Sequence, residues 1–161
     1  MIWDLLWPVV SWWGSTSFAM WLGQSTMRVA WLLTFHLFGL TVLLGTTVVQ
    51  SLRLFGVLLK DEPAARVARS MRAWHAVGLA LTLGSGFLIF TGGAVSYFEG
   101  SIFRTKMTLL LFTLAFHFTL FRRVMWADEG RFSPLVNAIT GAAALTLWFS
   151  VGMAGRAIGF F

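Results

Sequence analysis

The chain contains no cysteine, and only six of its 161 residues are acidic. Without thiols it forms no disulfide, thiolate metal site, iron–sulfur cluster or thioether-linked haem. Any metal must be held by His, Met, carboxylate or backbone. No carboxylate falls inside the long apolar runs, which counts against a cation path through them. Charge is scarce altogether, at 11% of residues against 58% hydrophobic, with a mean hydropathy of +0.79. A water-soluble domain of this length would have difficulty hiding so much apolar surface, so composition predicts an all-α integral membrane protein. The 12 Lys and Arg give a formal charge of +6. In so apolar a chain they set topology and meet lipid headgroups; no basic run interleaved with aromatics points to nucleic acid.

Three uncharged apolar runs, at 29–49, 73–95 and 135–155, are long enough to span a hydrocarbon core of roughly 30 Å at about 1.5 Å per residue. A fourth, 107–121, lies between Lys106 and Arg122 and spans if the Lys106 stem reaches outward to the interface. The expected architecture is an antiparallel four-transmembrane-helix bundle, residues 29–161, with spans near 29–50, 73–95, 106–121 and 135–155. Residues 1–28 form a separate segment. Its Trp3, Trp7, Trp12, Trp13 and Trp21 suit a headgroup boundary, while Asp4 and Pro8 do not fit a cleavable signal, so an interfacial or re-entrant segment is expected.

Arg53, Lys60, Arg66, Arg69 and Arg72 crowd the first connection, and Arg122, Arg123 and Arg131 the third. Both should face the cytoplasm, which puts both termini outside a bacterial-type inner membrane. His36, His75 and His117 lie one on each of the first three spans. An ionisable residue in a bilayer is rare, although a neutral imidazole hydrogen-bonded to a helix is cheaper than a charge. His75 stands three residues past Arg72 and His117 five before Arg122, so both fall roughly 5–8 Å inside the same face, where two imidazoles could share one iron. His36 belongs to the opposite leaflet, at roughly 10 Å depth. Gly78, Thr82 and Gly86 follow His75 at offsets of 3, 7 and 11, a stripe of small side chains that could leave a slot for a flat macrocycle or permit close helix packing. Arg72 and Arg122 stand at the level of haem propionates. Lys106 lies three turns before His117 and, with Met153, near the level of His36, which makes both candidate ligands of an outer haem as well as packing or snorkelling residues.

The stretches "HLFGLTVLLGTTVVQSLRLFG" (36–56) and "FRTKMTLLLFTLAFHF" (103–118) resemble the superfamily of small four-helix membrane proteins that includes the copper-resistance CopD domain and the HemJ-type protoporphyrinogen oxidases. The resemblance covers roughly residues 15 to 125 and is strongest to an uncharacterised branch. It rests on His36, Gly45, Arg53 and the pair Lys106 and His117, and it implies a porphyrin-tolerant scaffold; His75 is no part of that pattern, and Met-rich copper motifs are missing.

Three functions follow as expectations. The first is a b-type cytochrome carrying electrons as a small subunit or anchor of a larger redox complex, with haem b on His75 and His117 and a redox protein or quinone as partner. The second is a HemJ-like protoporphyrinogen oxidase using His36 and Lys106. The third is a copper-handling or purely structural membrane subunit.

Overall fold

The structure, a computed structural model, describes residues 2–159. Met1, Phe160 and Phe161, the extremities of the two expected regions, lie outside the described residues. Among those described there are helices and turns and no strand. Short helices α1 (Ile2–Gly14) and α2 (Ser17–Gly23) precede α3 (Thr26–Leu54) and α4 (Ala64–Gly92). The short α5 (Ala94–Glu99) leads to α6 (Ser101–Phe116), which runs through a π-helical turn (His117–Phe121) into α7 (Arg122–Met125); α8 (Pro134–Ala157) closes the chain. Four of these stretches, α3, α4, Ser101–Met125 and α8, are long and apolar enough to cross a membrane.

The helix ends have local causes. Ser25 caps α3 by accepting from the Arg28 amide, and Ser133 caps α8 by accepting from the Val136 amide, with Pro134 next in line where its missing N–H costs nothing. The second long helix begins at Ala64, nine residues before the expected 73, because Arg66, Arg69 and Arg72 are good helix formers that extend it past the apolar run. It ends at Gly92, three residues short of the expected 95, and after Gly93 the chain resumes as α5. The third helix likewise starts five residues early, at Ser101.

Residues 2–23 form two helices, neither long enough to cross a membrane alone. They pack on the end of the bundle remote from the basic loops. Val10 joins Ala94 and Phe98 in a small core, Trp3 meets Phe98 edge-on at 5.5 Å, and the Trp13 indole donates to Thr91 Oγ1 at 3.2 Å. At the basic-loop end a second core gathers Leu54, Ala68, Phe121, Val124, Met125 and Ala144. Arg53 ties both loops there, donating to the Glu62 carbonyl and pairing with Glu129 at 2.7 Å.

The long helices are unevenly joined. The α3–α4 contact is extensive, α3 packs on α8, and α8 packs on α6, but α4 reaches the third long helix chiefly through α7, at the basic-loop end. Between α4 and α6 the backbones leave a seam filled by side chains.

Candidate functional site

The α3–α4 interface is set by glycines. A Cβ added to Gly78 would lie 2.7 Å from the Leu43 amide nitrogen, and one added to Gly39 would lie 2.8 Å from that of Thr82. Real contacts are not this close, so the two backbones touch because neither residue has a side chain. The pairing is antiparallel: Leu43 faces Gly78, Gly39 faces Thr82, and the hydrogen-bonded pairs His36–Ser85 and Thr46–His75 lie on either side. The expected slot beside Gly78 and Thr82 therefore does not exist. That stripe is occupied by the backbone of α3, and Gly86 serves His36, whose Cε1 would stand 3.0 Å from an added Cβ.

Each end of this interface carries the same device. Thr46 Oγ1 lies 2.9 Å from the Leu43 carbonyl and 3.0 Å from His75 Nδ1. A hydroxyl has one proton; given to the carbonyl, it leaves the oxygen to accept from His75 Nδ1–H. The His75 Nε2 lone pair is thereby freed. Ser85 repeats the arrangement by donating to the Leu81 carbonyl and accepting from His36 Nδ1–H at 3.1 Å. The device is written twice in the sequence as H-x-x-G-L-x-x-x-L-G-[S/T], "HLFGLTVLLGT" at 36–46 and "HAVGLALTLGS" at 75–85. Thr46 and Ser85 are functional candidates that the depth argument missed, and this internal repeat is the signal that finds them. Two antiparallel copies give a local two-fold relation, with the two imidazoles about 15 Å apart along the helices.

The copies differ in what covers the imidazole. His75, buried, stacks on His117 of the π-helical turn, ring centroids 4.5 Å apart and planes within 5°. Phe121 and Trp148 enclose His117 at 5.2 and 6.1 Å. His75 Nε2, His117 Nδ1 and Trp148 Nε1 are all buried without a hydrogen-bond partner, an arrangement that costs about 1–3 kcal/mol per atom. Wide π-turns recur at functional sites in helices, and this one opens on His117. His36 is half-buried and meets the Thr82 backbone as well as the Ser85 hydroxyl.

The remaining candidates are dispersed. Lys106 packs its terminal amine over Gly155 of α8 and lies within electrostatic reach of His36. Met153 is 69% exposed and points away from the bundle, so it does not share a site with His36; one helical face separates it from Gly155, the α8 residue that meets Lys106. Arg72 is exposed, and Arg122 lies over the Trp126 ring at 5.9 Å. No group of three or more His, Asp or Glu side chains placed to hold a metal ion occurs among the described residues. Two imidazoles without a carboxylate are a borderline-soft, neutral donor set, which suits iron or copper rather than magnesium or calcium.

Fold and site together define a small, all-helical, four-long-helix protein with a paired-imidazole centre at one end and a single imidazole at the other. The chain belongs to the family of unknown function DUF6644, whose model matches residues 10–161. No curated protein and no solved structure matches it.

Proposed function

We propose that the chain spans a bacterial-type inner membrane as an antiparallel bundle with both termini outside, and that it works as a b-type cytochrome, a small electron-transferring subunit of a larger redox complex. Helices α1 and α2 then lie at the outer headgroup boundary, and the basic loops face the cytoplasm. The observation that carries the haem reading is the pair of buried imidazoles, contributed by two helices that otherwise hardly touch, each with an unpartnered nitrogen. In lipid such nitrogens are costly, and ligation removes the cost.

The donor set fits an iron porphyrin; the ring arrangement requires rearrangement. These rings lie face to face, so one of them would have to turn before both could hold one iron. A macrocycle would lie at the seam between α4 and α6, where few backbone contacts hold the two helices, and would leave the α3–α4 glycine packing whole. Haem b, when bound, supplies a one-electron ferric/ferrous couple. Thr46 would turn His75 Nε2 toward a bound iron, Phe121 and Trp148 would keep water from the centre, and Arg72 and Arg122 would supply positive charge for acidic propionates.

The test is a visible spectrum of the purified protein, oxidised and dithionite-reduced. A six-coordinate low-spin spectrum that disappears in both His75→Ala and His117→Ala is expected. A folded, colourless protein would overturn the reading and favour a second one, in which the two rings only pack helices together; their near-parallel stacking is the observation that supports it.

A further inference from the structure

Beyond Met125 the chain turns through a short loop before α8, and the loop is pinned at both ends. Met125 is buried in the core at the basic-loop end, and Phe132 packs against the same cluster. Between them Gly130 takes φ +80°, a left-handed backbone that a residue with a side chain resists, and the Arg131 amide donates to the Asp128 carbonyl at 3.2 Å. The turn brings Arg131 back onto the end of the third long helical stretch, where Arg123, Trp126, Ala127, Asp128 and Arg131 line one cavity of about 270 Å³. Neither guanidinium has an ion-pair or hydrogen-bond partner among the described residues. Of the two acidic residues in the loop, Glu129 is held by Arg53 at 2.7 Å, and Asp128, which lines the cavity, pairs with neither arginine.

We propose that this cavity binds a phosphate group, held between Arg123 and Arg131. Two like charges set against one space repel each other, so the cavity favours an anion that both can share, and guanidinium forks match phosphate oxygens two at a time. Asp128 leaves the lining with one positive charge in excess, which suits the single negative charge of a phosphodiester rather than a neutral or cationic guest. Size agrees, since the cavity falls below the roughly 300–1,000 Å³ of sites that enclose drug-sized ligands but admits a phosphate and its ester oxygens. Two sources offer that chemistry, a phospholipid head and free phosphate. The cavity straddles Met125, where the third apolar stretch ends, and Trp126 is of the residue type that settles at a headgroup boundary, so a lipid head is at hand. The lipid source rests on the spans proposed above; neither the haem nor the orientation of the bundle enters.

The full chain is purified in dodecyl maltoside and offered phosphatidylglycerol, and native mass spectrometry counts the lipid retained. One tightly held phosphatidylglycerol is expected, with affinity about tenfold lower in Arg123→Gln and in Arg131→Gln, each of which removes one charged fork. Asp128→Asn should tighten binding several-fold by removing the carboxylate that faces the anion. Arg66→Gln, whose charge is already paired with Glu62, should leave it unchanged. Arg123, Asp128 and Arg131 are exposed, so these variants keep the core, which helical circular dichroism verifies. In a second arm inorganic phosphate is titrated against the lipid-bound protein. Displacement at millimolar phosphate, through the same two arginines, identifies free phosphate as the occupant, and retention identifies the lipid head. Lipid retention that falls equally in Arg66→Gln reflects loop charge in general, and retention that Asp128→Asn weakens reflects a cationic guest; either overturns the site. So does a chain on which neither phosphatidylglycerol nor phosphate responds to Arg123 and Arg131. A colourless protein that retains phosphatidylglycerol through these arginines sinks the cytochrome reading alone, and a haem-bearing protein that binds neither probe through them sinks this proposal alone.

Discussion

The two ends of the α3–α4 pair are built from the same eleven-residue pattern and yet present different chemistry. At one end His75 is buried and capped by a second imidazole; at the other His36 is half-buried with the Ser85 hydroxyl and the Thr82 backbone beside it. The interface within the pair is nearly symmetric, so the difference arises outside it. It comes from the third long helical stretch, Ser101–Met125, which offers His117 near one end and Lys106 three turns away near the other. A repeated helix pair thus supplies two equivalent imidazoles, and the third helix assigns each its role.

The largest effect should come from breaking the capped end. His75→Ala or His117→Ala removes one ring of the stacked pair, leaves a cavity beside Trp148, and abolishes the low-spin haem spectrum expected of the purified protein. Loss of the spectrum in one variant only would separate the two rings and break the proposed equivalence of the ligands.

Next in size is the interface itself. Gly78→Leu drives a side chain into the α3 backbone at Leu43, where nothing flexible can give way, and should destabilise the fold by about 3 kcal/mol or more. Gly84→Leu is its control, since an added Cβ there meets nothing within 4 Å. Thermal unfolding in detergent should fall sharply for the first and hardly change for the second. Equal melting temperatures would mean that α3 and α4 are not held by glycine contact.

Thr46→Val and Ser85→Ala sharpen the comparison without removing a ring. Each leaves an imidazole Nδ1–H unpartnered, at about 1–3 kcal/mol. Thr46 and Ser85 are equally buried, but Thr46→Val should cost more because its partner His75 is buried while His36 is only half-buried. Thr46→Val should also shift the haem reduction potential while keeping the spectrum low-spin. A merely structural hydroxyl would alter stability and leave the potential unmoved.

The smallest effect belongs to Arg53→Ala at the loops. Its pairing with the mostly exposed Glu129 contributes about 0–1 kcal/mol, so stability should drop slightly and the loss should shrink at high salt. A larger loss would point to the bond from Arg53 to the Glu62 carbonyl as the more important tie.

Much of the scaffold was readable in advance. Run length and hydropathy located all four long helices, since burial in any apolar medium demands those features whatever the neighbours are. Residue counting from the charged edges put His75 and His117 at one depth, and the structure brings their rings together. The stripe Gly78, Thr82 and Gly86 shows where that method stops. Helical periodicity says that these residues share a face, but both a bound macrocycle and a neighbouring backbone want small side chains there. The face turned out to meet α3. Met153 fails in a similar way: its depth was legible, its direction around α8 was not.

Sequence by itself determined the apolar helices, the basic loops, the neutral donor set and, through the repeated motif, a hydroxyl for two of the three imidazoles. Those are properties of single segments, fixed by local chemistry and by position along one axis. Tertiary structure alone decided that α4 meets α3 through glycine, that His117 opens a π-turn onto His75, and that Lys106 packs on Gly155 of α8. Such relations depend on how each helix is rotated about its axis, and that rotation is set by the joint packing of all the helices, which no single segment encodes.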